Sequence, residues 1–274
     1  MFDRDAIIRA ALRAYVEALV KGSPDRGLPL SFVACEYPRW TGDLERGAFD
    51  NGDLEGNNEV VAWTEAGVVG LGYELGWGPI EYLNLAVDAV TGGPDDVRGA
   101  LPGLPDALEP TLVIATNMLE EGNHGEKLAG VGFWLCGDLV DGTLFSDPTA
   151  PGAKRLTMWG LLRRGRLLPP IYCSSRPDDI AALAGCDRRE APIHAIMDAV
   201  VDRRMRGPTE LTTDELAALL PPAQPGAVAF HPTDASKVGI AWPGSPELPP
   251  MPPPGLNPFT GKPFTEAELA RSRL

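Results

Sequence analysis

Residues 59–73, EVVAWTEAGVVGLGY, hold two apolar runs, Glu59–Thr64 and Val68–Tyr73, on either side of Glu65-Ala66-Gly67. Val, Trp, Thr and Tyr suit a pleated surface, and Gly67 can take the positive φ that a tight connection asks for. The stretch predicts a β-hairpin. Downstream, Val131–Cys136 and Leu139–Phe145 repeat the pattern and predict a second strand pair. Upstream, Leu30–Tyr37 reads as a strand. Thr111–Thr116 reads as a buried strand, because a short apolar run with no polar alternation fits one.

Helices flank these runs. Ile7, Ile8, Ala11, Leu12, Tyr15 and Leu19 recur at helical spacing and predict a helix over 4–20. Pro79 opens a second predicted helix, with Ile80, Leu83, Val87 and Val90 on one face and Gly92-Gly93 as its stop. Four prolines restrict residues 94–110 to short turns of helix. A helix is expected over Leu156–Leu162 and a short strand over Ile171–Ser174. Ile193, Ile196, Met197, Val200, Val201 and Met205 form one stripe over 191–206, closed by Gly207-Pro208. Thr212 with Glu215 has capping-box spacing and predicts a helix over 212–220. Val228–Phe230 and Val238–Ala241 read as late short strands.

Strands that come in hairpin pairs, without strict alternation with helices, predict an α+β fold. The expected architecture is a mixed, mainly antiparallel sheet with flanking helices. Residues 1–242 form one globular domain in this reading, with a division near 150–153 (Ala150-Pro151-Gly152) as the alternative. Residues 243–263 hold nine prolines, so 243–274 is expected to be an extended tail with a short terminal helix, signalled by the capping-box spacing of Thr265 and Glu268.

Charge is spread unevenly. Residues 1–153 carry 9 Lys/Arg against 25 Asp/Glu, residues 154–206 carry 11 against 6, and the whole chain has a net charge of −14. Such a balance argues against nucleic acid, whose phosphates need Lys and Arg, and against anionic membrane surfaces. No stretch reaches the roughly 18 apolar residues of a membrane span. The N-terminal 22 residues carry Asp3, Asp5 and Glu17 and do not read as a signal peptide. Cys35, Cys136, Cys173 and Cys186 are scattered without a CxxC pair and read as reduced thiols, which makes the cytoplasm the expected location. The Ala-, Gly-, Pro- and Arg-rich, Lys-poor composition is of a bacterial kind.

Candidates for chemistry are few. His124 lies among Glu120, Glu121 and Glu126, where acid–base work or a divalent metal is conceivable. The spacing is not HExxH, and the glycines favour a solvated loop between strands. His231 before Asp234, and Cys173 beside Arg176, offer a base and a thiol, but a turn and a structural cysteine are the simpler readings. His194 reads as a structural histidine. Gly67, Gly70, Gly72, Gly76 and Gly78 do not spell GxGxxG and mark close backbone approach instead. No cofactor and no metal is expected. The basic stretch 154–206 is expected to pair mostly with the acidic first half.

The region from Thr41 to Asn58 reads as a long polar surface loop holding Asp43, Glu45, Asp50, Asp53 and Glu55, with Trp40 and Trp77 in or beside loops. Clustered like charges steer oppositely charged partners, and loop tryptophans are interface anchors. In general character the chain resembles immunity and antitoxin proteins of bacterial conflict systems. That resemblance is of character and transfers no functional positions. The function expected from sequence is therefore a non-enzymatic, inhibitor-type binding module that meets a basic protein on these carboxylates and tryptophans. A hydrolase or transferase at His124 is the alternative. The proline-rich tail is a candidate for joining copies of the chain.

Overall fold

The structure is a computed structural model that describes residues 3–21, 37–52, 56–153, 155–156, 177–219, 235–243 and 245. The hairpin at 59–73 stands at its centre. Strands β3 (Asn58–Thr64) and β4 (Gly67–Tyr73) pair antiparallel, with Thr64 opposite Gly67 across Glu65-Ala66. Gly67 has φ +148°, and a Cβ there would lie 2.0 Å from the Leu135 carbonyl oxygen. Around this pair β1 (Tyr37–Gly42), β2 (Gly47–Gly52), β5 (Val131–Cys136) and β6 (Leu139–Asp141) complete one sheet in the order β1-β2-β3-β4-β5-β6. Every pairing in it is antiparallel. The expected α+β class, with a sheet assembled from hairpins, is what the chain adopts.

Both faces of the sheet are covered, and for this reason β3 and β4 are buried without alternation, their central residues Val60–Trp63 and Val68–Val69 forming continuous apolar runs. On one face α1 (Arg4–Lys21) lies across β1–β4, and Ile8, Leu12 and Tyr15 pack with Phe49, Val61, Trp63 and Val68. A long helix, α4 (Pro177–Arg206), packs on α1 through Met197, Val200 and Val201. On the other face α2 (Glu109–Met118), with 3-10 turns at Pro94–Ala100 and Asp106–Leu108, buries Leu108, Leu112, Ala115 and Met118 against Ala48, Val60, Val69 and Leu71. Gly70 has no side chain because the Phe133 ring lies over it. A Cβ would sit 2.1 Å from that ring, so this glycine is a place of close approach, as its sequence context suggests.

The structure corrects several expectations. Thr111–Thr116 is helical, not a strand. Pro110 sits in the first turn of α2, and Thr111, Leu112, Ile114, Ala115, Thr116 and Met118 are all buried. A helix buried on nearly every side has no polar stripe, so its run of apolar residues imitates a core strand. The buried Thr116 hydroxyl donates to the Leu112 carbonyl at 2.9 Å. Residues 79–92 are not a regular helix. Leu83 and Leu85 both donate to the Pro79 carbonyl, Asn84 takes φ +58°, and only Val87–Ala89 forms a 3-10 turn. The expected loop over 41–58 contains the end of β1 and all of β2. The second strand of the later pair stops at Asp141, where Gly142 (φ +136°) turns the chain into the short helix α3 (Thr143–Ser146).

The 191–206 helix is present as the C-terminal half of α4, which begins upstream of Pro192. The capping box forms as its spacing predicts. In α5 (Thr213–Leu219) the Thr212 hydroxyl accepts from the Glu215 amide at 3.2 Å, and the Glu215 carboxylate accepts from the Thr212 amide at 3.0 Å. Thr212→Ala should cost about 1 kcal/mol of stability, read as a lower urea midpoint. An unchanged midpoint would show that α5 is held by packing alone. A two-stranded parallel sheet of β7 (Thr209–Glu210) and β8 (Ile240–Ala241) ties the segment after α4 to the late strand near Val238–Ala241. The expectations for Leu30–Glu36, Thr157–Leu162, Ile171–Ser174, Val228–Phe230 and the tail beyond Ser245 lie outside the described residues. Among the described residues, no helix is long and apolar enough to cross a membrane.

Candidate functional site

The strand register separates the residues that sequence grouped together. Turns 43–46, 65–66 and 137–138 lie at one end of the sheet, and 56–57 and 74–78 lie at the other. Six residue steps of about 3.3 Å put these ends roughly 20 Å apart. Asp43 and Glu45 are therefore at the end opposite Trp77. Asp43 accepts from the amides of Glu45 and Arg46, both at 2.8 Å, which makes it a turn former. Arg4 donates to the Leu44 and Glu45 carbonyls beside it, so this turn carries mixed charge.

Trp40 and Asp50 are buried, contrary to the loop placement. Trp40 is in β1 and packs on Trp63 at 5.0 Å and on Tyr15 at 5.6 Å between ring centroids. Asp50 is in β2 and pairs with Arg39 across the β1–β2 register, and Arg39 also donates to the Met118 carbonyl at 2.8 Å. Burial pushes the Asp50 carboxyl up to about 6, against the pull of Arg39, and Glu120 adds to the rise. Among the described residues its Oδ1 meets no hydrogen-bond partner. Asp53 and Glu55 lie outside the described residues.

The His124 loop does not assemble a catalytic group. Glu126 is turned inward and buried, and its carboxylate accepts from the His124 backbone amide at 2.8 Å. Glu121 pairs with Lys127 at 3.2 Å, Glu120 is exposed near Asp50, and the His124 side chain faces solvent. Among the described residues, no group of three or more His, Cys, Asp and Glu side chains could hold a metal ion. His231 and the Cys173 side chain are outside them.

Among the described residues, two further buried charge centres carry little or no signature in the sequence. Asp96 accepts from the Thr91 amide and hydroxyl at 2.8 Å each, and from the amides of Gly92 and Lys127 at 3.0 Å each. It clamps the end of the 74–92 excursion to the loop that carries His124. Between α1 and α4, buried Arg13 meets Glu17 and the His194 ring nitrogen Nδ1 at 2.7 Å and Asp198 at 2.8 Å. A guanidinium only donates, so Nδ1 is the acceptor here, and His194 is structural as expected. The i,i+4 spacing of Arg13 and Glu17 was the one sequence signal for this centre.

Part of the basic stretch is engaged internally. Arg155 donates to the Asn51 carbonyl at 2.9 Å, Arg203 grips Glu215 with two contacts of 2.8 Å, and Arg204 donates to the Val238 carbonyl. The last turn of α4 also carries Arg203, Arg204 and Arg206 at its negative dipole end.

The acidic excess can then be located. Residues 1–46 balance seven basic against seven acidic side chains, whereas 47–153 carry eighteen acidic and only Arg98 and Lys127. Both cations are consumed locally. Arg98 makes a two-pronged pair with Glu109 at 2.7 Å and also pairs with Asp95, and Lys127 is buried against Glu121 and the Leu119 carbonyl. The negative field belongs to the strands and connections after Arg46, not to a single loop. Compared with protein-family models, with curated proteins and with solved structures, the chain finds no match.

Proposed function

We propose that the chain is a protein-binding module of inhibitor or immunity type that receives a basic protein on its acidic body in the cytoplasm. The observation that carries this reading is the run of eighteen carboxylates against two internally paired cations over 47–153. Asp50, Glu59, Asp96 and Glu126 of these are buried. Exposed members such as Glu65, Glu74, Glu81, Asp88, Glu120 and Glu121 give the surface a field of one sign, which attracts the opposite sign and repels its own and so serves selective association. The alternative of catalysis at His124 has no comparable support, because Glu126 is turned to the His124 backbone amide, Glu121 is paired with Lys127, and Glu120 is exposed near Asp50.

The test is capture on the tagged full chain at low ionic strength, with bound proteins identified by mass spectrometry. One basic protein retained at near-equal amount, with an affinity that falls steeply as salt rises, is the expected result. Retention of no stoichiometric partner, or of one whose affinity ignores salt, would overturn the proposal.

A further inference from the structure

Among the described residues the large exposed apolar side chains are Leu75, Trp77, Val87, Leu139 and Phe145. Three of these five fall in the excursion that leaves β4 and runs to residue 90. Leu75 is 63 %, Trp77 49 % and Val87 52 % exposed. The backbone that presents them is held. Trp77 donates to the Glu74 carbonyl at 3.0 Å, Leu75 to the Asn57 side chain at 2.9 Å, and Gly76 to the Tyr73 hydroxyl at 3.2 Å. The Glu74 carboxylate accepts from Gly152 at 3.3 Å, and Glu81 accepts from Gly78 at 3.1 Å. Apolar side chains fixed in water on a tied backbone are pre-organised anchors, since little ordering entropy remains to be lost on binding.

The surroundings are acidic. No Lys or Arg occurs between Arg46 and Arg98, and Glu74, Glu81 and Asp88 are exposed on the excursion itself. The Tyr82 hydroxyl donates to Asp147 at 2.6 Å, which brings α3 and its 42 % exposed Phe145 alongside. That hydrogen bond also holds the Asp147 carboxyl below its ordinary range, so the charge on this side persists in mildly acidic solution.

We infer that the 74–90 excursion is the docking face, and that its occupant is an arginine-bearing amphipathic segment of a protein. Its apolar side chains seat against Leu75 and Trp77, and its guanidinium groups meet Glu74, Glu81 and Asp88. Arginine suits the site better than lysine, because its planar cation both pairs with carboxylates and stacks on an indole face. This assignment rests on the basic-partner reading above and adds its location and chemistry.

Two labelled synthetic peptides of equal charge test it against the full chain by fluorescence anisotropy, one built from Arg and Leu and the other from Arg and Gly. The Arg/Leu peptide should bind more tightly. Trp77→Ala with Leu75→Ala should weaken it by about tenfold or more, leaving the Arg/Gly peptide unchanged. Glu74→Gln, Glu81→Gln and Asp88→Asn together should weaken both peptides and flatten the salt dependence. Because these side chains are exposed, the variants should keep the parental urea midpoint, which separates lost binding from lost folding. If both peptides bind but ignore the Trp77 and Leu75 changes, the face is elsewhere while the basic-partner reading stands. If neither peptide binds the unaltered chain, that reading falls and this assignment with it.

Discussion

Replacing Arg13 by Met should destabilise the protein by about 3–5 kcal/mol, the range for removing one partner of a buried ion pair. Arg13 has no exposed surface, yet it is a full cation, and it is stable there because Glu17, Asp198 and His194 all receive its N–H groups. Methionine fills a similar volume but donates nothing. The nearly buried Glu17 carboxylate would then lose the guanidinium 2.7 Å away, and α1 would lose its polar tie to α4. A domain of this kind has only about 5–15 kcal/mol of total stability, so the effect should be plain in a urea midpoint measured at constant slope. Arg13→Lys should rescue little, because a compact ammonium cannot satisfy three acceptors spread along two helices. Adding Glu17→Gln to Arg13→Met should recover part of the loss, since the second change removes the buried negative charge that the guanidinium had balanced. A loss below about 1 kcal/mol for Arg13→Met would mean that packing, not charge, joins α1 to α4.

How much of this was legible in the sequence depends on the range over which each feature is encoded. The 59–73 hairpin, α1, the capping box at Thr212 and the stripe of α4 follow from local periodicity and turn chemistry, and they form as read. The errors fall where tertiary context overrides the local pattern. α2 is buried on nearly all sides, so it lacks the polar face that would announce a helix. β2, GAFDNG, is a strand in which Gly47, Asp50, Asn51 and Gly52 favour turns, and it is paired on both sides by strands it could not specify alone. The same reversal undid the candidate surface. Asp50 and Trp40 look like loop residues by neighbourhood, and strand pairing buries both. The opposite error hid the exposed face. Ile80, Leu83, Val87 and Val90 repeat at helical spacing, but Asn84 breaks the helix and Val87 is left in water. His194 and Arg13 are 181 positions apart, a distance over which no pattern in one sequence connects two residues.

The stability of the protein should rise as pH falls from about 7.5 towards 4.5, and Asp50 should account for much of that rise. Its carboxyl is taken out of water in β2, so desolvation disfavours the charged form more than Arg39 restores it, and the group titrates at about 6 instead of its ordinary 3.8. A folded pKa above the unfolded one means that the native state binds the proton more tightly. The contribution is therefore complete below about 4 and is lost as pH climbs through 6, which amounts to about 3 kcal/mol at 1.36 kcal/mol per unit. Glu215, held below its ordinary value by Arg203, acts in the opposite sense, and so does Asp147 under its bond from Tyr82. Those two are near the surface and offset little. Repulsion among the carboxylates of 47–153 also eases in acid, so the wild-type curve alone cannot assign the effect. Asp50→Asn can, because it keeps the shape and removes the titration. At pH 7.5 the variant should match or exceed the wild type, since Arg39 is a third exposed and can turn to water. At pH 4.5, where most but not all of the contribution has developed, that advantage should have shrunk by about 2 kcal/mol. Urea is the suitable denaturant, because guanidinium would screen the charges at issue. Parallel pH profiles for the two proteins would place the titration elsewhere and would mean that the Asp50 carboxylate stays charged inside the sheet, sustained by Arg39.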